Sequence, residues 1–200
     1  MSSILIEMSG INKEFPGVKA VQDGMFTLEE GEIHSLVGEN GAGKSTLMKI
    51  LYGMYSPESG TITVRGESFP SLTPKRAIGM GIGMVHQEFM LVREMTVLEN
   101  IILGFEPRRG AMIDRRAALD KIDYYARTYG LSVHPDKKVG EISVGEAQRV
   151  EIIKTMYRGA EILVLDEPTA VLTPQESEQL FEILRSMKKD GKSIVFISHK

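Results

Sequence analysis

The residues Gly38, Glu39, Asn40, Gly41, Ala42, Gly43, Lys44, Ser45 and Thr46 contain the spacing G-x-x-x-x-G-K-[ST]. Glycines at such positions let the backbone wrap closely around an anion, so that amide hydrogens point inward. A helix opening at Lys44 aims the positive end of its dipole at the same anion. The Lys44 ammonium can reach the β- and γ-phosphates of a nucleotide, and the Ser45 hydroxyl can ligate magnesium. A glycine turn before an amphipathic helix would look similar, but a strand leads into this loop and a helix leaves it. A second constellation follows an apolar run: Ile162-Leu-Val-Leu165 ends in Asp166 and Glu167. Acids at the carboxyl end of a parallel strand stand where α/β sheets bind ligands. Beside a phosphate loop, Asp166 would hold magnesium near Ser45, and Glu167 would polarise a water attacking the γ-phosphate.

Those residues need particular elements to position them. Strands are expected at Ile4 to Met8, Val18 to Leu28, Glu32 to Val37 and Gly60 to Arg65, bounded by glycines and turn residues. A helix is expected from Lys44 to about Tyr52, where Leu47, Ile50 and Leu51 recur at helical spacing. Thr73–Pro74 opens another helix, with a capping hydroxyl and proline at the first helical position. Ile82 to Val85 reads as a short strand. Beyond Gln87 the pattern turns helical: Thr96 and Glu99 form a capping box for a helix through Leu103. Glu106 to Gly110 reads as a loop. Asp114 to Tyr129 reads as a helix with Ala118, Ile122, Tyr125 and Tyr129 on one face, and Ser132 to Gly140 as a polar stretch. Ser143 to Tyr157 and Pro174 to Lys189 read as helices, and Ser193 to Ser198 as a last buried strand.

Strands and helices alternate at both ends of the chain, which implies a parallel sheet with crossover helices. The fold class expected is α/β, a mostly parallel core sheet with an antiparallel N-terminal β part and an inserted helical part. The expected division places the sheet-bearing core, with the phosphate loop, at 1–87 and 160–200, and the helical part at 88–159.

Composition narrows the classes. The chain has 200 residues, 42% hydrophobic and 26% charged, with a formal net charge of −3. That is enough to bury a sizeable core, and the acidic balance disfavours nucleic-acid binding through a general basic field. The chain has no Cys, so disulfides and thiolate metal sites are excluded. No apolar run approaches the roughly 20 residues that span a bilayer. Met1 to Gly10 has no basic region before its apolar residues, so no secretory signal is expected. His34, His86 and His134 form no ligand spacing with one another. The 12 Met residues read as core and subdomain packing.

Asp166-Glu-Pro-Thr169 after an apolar strand, with Ser143-Val-Gly-Glu146 about twenty residues upstream, resembles the ATP-binding-cassette (ABC) ATPases. The resemblance covers essentially the whole chain. It implies that Phe15 stacks on adenine. It implies that Gln87 is a loop glutamine that senses magnesium and couples to a membrane partner. Ile142 to Arg149 resembles the signature loop and helix, which would bring Ser143 and Gly145 to ATP bound on another cassette. Ala170 to Thr173 occupies the place of the D-loop, and His199 resembles the switch histidine. The implied catalytic set is Lys44, Glu167 and His199. The implied magnesium set is Ser45, Gln87 and Asp166, with ATP and magnesium as cofactors.

The signature departs from the commoner LSGGQ, with Ile142, Val144 and Glu146 in place of Leu, Gly and Gln. Ser143-Val-Gly-Glu146 also satisfies a plain capping box. Thr173 stands where the D-loop commonly has Asp, which puts the usual cross-dimer contact in doubt. Val85-His-Gln-Glu-Phe-Met-Leu-Val92, Asn100-Ile-Ile-Leu-Gly104 and Asp166 to Thr173 resemble, more narrowly, the ATPases of simple-sugar and nucleoside importers. Those carry two cassettes in one polypeptide, and this chain would be the first. Lys200 falls one residue past His199, so a longer native chain is expected. The partners implied are a second cassette, transmembrane permease subunits and an extracytoplasmic solute-binding protein, at the cytoplasmic face of the membrane. Three other readings share the phosphate loop: a soluble ABC ATPase acting on ribosomes or DNA, a non-hydrolysing regulatory cassette, and a P-loop kinase. The last does not explain the signature and switch positions together.

Overall fold

A computed structural model describes residues 3–199 of the chain; Met1, Ser2 and Lys200, at the ends of the segments discussed above, lie outside the described residues. The elements follow in the order β1 (Ile4–Phe15), β2 (Val18–Glu29), β3 (Ile33–Val37), α1 (Lys44–Leu51), β4 (Ser59–Val64), β5 (Glu67–Phe69), α2 (Pro74–Gly79) and β6 (Ile82–Val85). There follow α3 (Val97–Ile102), β7 (Arg108–Arg109), β8 (Met112–Ile113), α4 (Arg115–Tyr129), a 3-10 turn (Val139–Glu141), α5 (Val144–Tyr157), β9 (Ile162–Asp166), α6 (Pro174–Lys189) and β10 (Ser193–Ser198).

Two main sheets result. One is antiparallel, in the order β2-β1-β4-β5; the other is β3-β10-β9-β6, with every neighbouring pair parallel. The expected parallel core and antiparallel N-terminal part are both present. In the parallel sheet, residue alternation divides two apolar cores. Leu163 and Leu165 of β9, with Ile194 and Phe196 of β10, pack with α3, α4, α5 and α6. Ile162, Val164, Val195 and Ile197 face the other way, onto α1 and the antiparallel sheet. Helices beyond β6 therefore share one continuous core with the sheet.

Several boundaries differ from the sequence expectation. β1 runs past Gly10 to Phe15, because Ile11 continues the pairing after a register shift. β5 was not expected; it adds only Glu67–Phe69 to an edge of the sheet. The segment Glu106 to Gly110 is not wholly loop: Arg108 and Arg109 pair with Met112 and Ile113 in an exposed hairpin that has no apolar alternation to announce it. Within the polar stretch 132–140, Lys138 bridges to Thr96 and the 3-10 turn begins at Val139.

Local chemistry explains the helix starts. Thr96, Ser143 and Thr173 each accept a hydrogen bond from the backbone three residues on, while Glu99, Glu146 and Glu176 reach back to the cap backbone. Each box satisfies two amide donors that a helix start otherwise leaves open. Among the described residues, no helix is long and apolar enough to cross a membrane.

Candidate nucleotide site

Sheet register brings the motifs together. Val37 is the partner of Ser198, Ile197 of Asp166, and Leu165 of Val85. The carboxyl ends of β3, β10, β9 and β6 therefore lie along one edge. The phosphate loop, His199, Glu167 and Gln87 all leave that edge, where open α/β sheets place their ligands. Phe15, Val18, Ala20, Asn40 to Thr46, Gln87, Glu167 and His199 line one open cleft of about 430 Å³. That is the size of a small-molecule site.

The loop itself is built for an anion. Gly43 takes φ 83° as the cap of α1, and no side chain caps that helix. A Cβ on Gly43 would also run into the carbonyl oxygen of Ala20, so both the dihedral and the space require glycine. No acidic residue occupies the first turn of α1, which leaves its amide donors and dipole facing the cleft. The Lys44 ammonium donates to the carbonyls of Gly38 at 2.6 Å and Glu39 at 2.8 Å, and so lies folded over the loop.

Ser45 and Asp166, 121 residues apart, meet directly: the Ser45 hydroxyl donates to Asp166 Oδ1 at 2.6 Å. Asp166 is only 2% exposed at the end of β9. Among the described residues no group of three or more His, Asp or Glu could hold a metal by protein ligands alone. A hydroxyl beside one carboxylate, next to a phosphate cradle, nevertheless fits magnesium, which keeps waters and shares its shell with substrate phosphates.

Glu167 takes φ 50°, uncommon for a residue with a side chain. Its amide donates to the Ile197 carbonyl at 3.2 Å. Its carboxylate meets His199 Nδ1 at 2.5 Å. Phe15 lies edge-on to Tyr55, with ring centroids 5.2 Å apart, and the Lys13 ammonium stands 5.3 Å from its ring centre. His86, beside Gln87, packs edge-on against Tyr52, and burial, then the nearby Lys49 charge, lowers its pKa.

Gly38 and Glu39 form the base of the loop through their carbonyls, and Asp166 lies beneath Ser45. Ser143 and Gly145 do not line the cleft; they form the start of α5, where a Cβ on Gly145 would overlap the Glu176 carboxylate. The sequence reading missed Val18 and Ala20 as cleft walls. It also passed over Gln148, Glu151 and Lys154, buried polar residues on α5 whose spacing of three was the available signal.

Fold and site together define a P-loop nucleotide-binding domain with an inserted helical segment. The family model for "ABC transporter" matches residues 21–170, and the chain belongs to the ABC transporter family. It is 54% identical over 191 residues to a guanosine import ATP-binding protein of Bacillus subtilis, covering 96% of this chain and 38% of that one. It is 44% identical over 199 residues to a galactose/methyl galactoside import ATP-binding protein of Clostridium perfringens, covering 100% of this chain and 39% of that one. The chain thus spans less than two fifths of the length of these curated relatives. The ADP conformation of MJ1267, an ATP-binding cassette of an ABC transporter, superposes with a TM-score of 0.86 at 25% identity, covering 100% of this chain and 82% of that chain.

Proposed function

We propose that this chain is a cassette of a longer ATP-hydrolysing polypeptide that energises import of a nucleoside or simple sugar. The observation that carries the reading is the convergence of Lys44, Ser45, Asp166, Glu167, Gln87 and His199 on one edge of the parallel sheet. The 54% identity to a guanosine importer's ATP-binding protein, against 44% to a galactose importer's, favours a nucleoside.

In this reading the adenine lies on Phe15, and the amides of 40–46 and the Lys44 ammonium hold the phosphates. Ser45 and Asp166, with Gln87, would hold magnesium, which supplies charge neutralisation of the β- and γ-phosphates when bound. Glu167 accepts a hydrogen bond from, and proton of, the attacking water, and His199 fixes the orientation of that carboxylate. The Lys44 charge stabilises the negative charge that gathers on the transferred phosphoryl group. Residues 88–159 form the helical arm that presents Ser143 and Gly145 to ATP held by a second cassette. Permease subunits dock at the Gln87 loop and this arm, on the cytoplasmic face of the membrane. A solute-binding protein delivers the solute on the other face. Closure of the two cassettes on ATP is a ligand-driven population shift.

The test is MgATP hydrolysis by the full-length protein against Lys44→Ala and Glu167→Gln. Loss of turnover in both, with ATP binding kept by Glu167→Gln, is the expected result. Unchanged turnover in either variant would remove the assigned roles. Uptake of labelled guanosine and galactose by the assembled transporter then separates the two solute classes.

A further inference from the structure

α5 is buried on nearly every side, yet it carries three polar side chains at intervals of three along one face. Gln148 is 3% exposed, Glu151 3% and Lys154 8%. Buried polar groups are tolerated only when they are partnered, and here the partners are the two loops that leave the site edge of the sheet. The Gln148 side-chain amide donates to the Pro168 carbonyl at 2.6 Å, one residue past Glu167. The Lys154 ammonium donates to the Met90 carbonyl at 2.7 Å, three residues past Gln87, and stands 3.5 Å from the Glu151 carboxylate. The Met90 carbonyl is thus held by a lysine that is itself paired with a buried carboxylate. A buried ion pair adds little net stability over apolar residues of like volume, so stability alone does not account for it.

The same helix begins at Ser143, roughly 16 Å from Lys154 at 1.5 Å per residue. A helix of this length moves as a rod, so a displacement imposed at the Met90 clamp reaches the Ser143–Gly145 turn. We propose that Gln148, Glu151 and Lys154 are positioning residues through which nucleotide at the Gln87 and Glu167 loops sets the placement of the Ser143–Gly145 turn. This rests on the function proposed above.

The experiment uses the full-length protein and hydrogen exchange with and without MgATP, alongside steady-state hydrolysis. The double variant Glu151→Leu/Lys154→Met removes the clamp without stranding a charge. In the unsubstituted protein MgATP is expected to change exchange at both 88–92 and 143–150. In the double variant the response at 88–92 stays and that at 143–150 is lost. Its kcat falls about tenfold, the scale of measured coupling through packed networks, with KM for ATP within about twofold. Lys154→Arg restores both readouts. If the double variant does not fold, Lys154→Gln carries the same pair of measurements. A retained response at 143–150 with kcat within twofold overturns the proposal, as does an unsubstituted protein whose 143–150 segment never responds. An unsubstituted protein that hydrolyses no MgATP sinks the functional reading itself, a result distinct from the other two.

Discussion

Glu167 shows what a single residue must tolerate to serve this site. At φ 50° it sits in a region that costs a side-chain-bearing residue on the order of 1–3 kcal/mol. The Ile197 carbonyl and His199 hold it there from the neighbouring strand. Gly43 meets the opposite demand, since its φ of 83° and the nearby Ala20 carbonyl leave no room for a side chain. Gly43→Ala is expected to weaken nucleotide binding roughly tenfold or more, because about 1–2 kcal/mol of left-handed strain falls on the loop. Titration with a fluorescent ATP analogue checks this, with circular dichroism showing that the fold is retained. The glycine positions were plain in the sequence. The Ser45–Asp166 contact and the Glu167 dihedral were not, because the first joins residues 121 apart in the chain and the second depends on the register of β9 against β10.

At the scale of elements, the three capping boxes decide where the helices around the site begin. Thr96→Ala, which removes the cap of α3, is expected to cost about 1 kcal/mol, read from the midpoint of urea unfolding. The same box carries a pH dependence. Hydrogen bonds from the Thr96 backbone and hydroxyl lower the Glu99 pKa below its ordinary value. A carboxyl lowered on folding stabilises the folded state fully above its unfolded pKa, and that contribution is lost as pH falls through the lower folded value. Glu99→Gln keeps the reciprocal cap but does not titrate, so its stability should fall less steeply from pH 5 to pH 3 than that of the unsubstituted protein. An identical acid profile for the two would show that the box contributes no pH dependence. These starts were legible, since a hydroxyl three residues before Glu is a local signal. The hairpin of β7 and β8 was not, because nothing in two exposed residues a side sets a period.

Across the whole molecule, β9 belongs to both cores, as do its neighbours β10 and β6. Leu163 and Val164 are each fully buried on opposite faces. Leu163→Ala is expected to destabilise by about 2–5 kcal/mol, the range for a large side chain lost from a close-packed core. Thermal unfolding followed by circular dichroism checks it; a change under 1 kcal/mol would mean that the two cores are less dependent on this strand than their packing implies. Because the same strand ends in Asp166 and Glu167, packing energy and site geometry share one element.

Local spacing by itself determined the phosphate loop, the acids at the end of β9 and the helix caps, each written in residues within about one or two turns of one another, where side-chain size, dihedral preference and capping act directly; the order of those local patterns along the chain gave the α/β class. Only the tertiary structure decided which strand ends share an edge, that Ser45 meets Asp166, that His199 meets Glu167, and that α5 grips the loops after Gln87 and Glu167. Those pairings follow from strand order and register, which arise when both apolar faces of the sheet are buried at once, and no single stretch of sequence contains that condition.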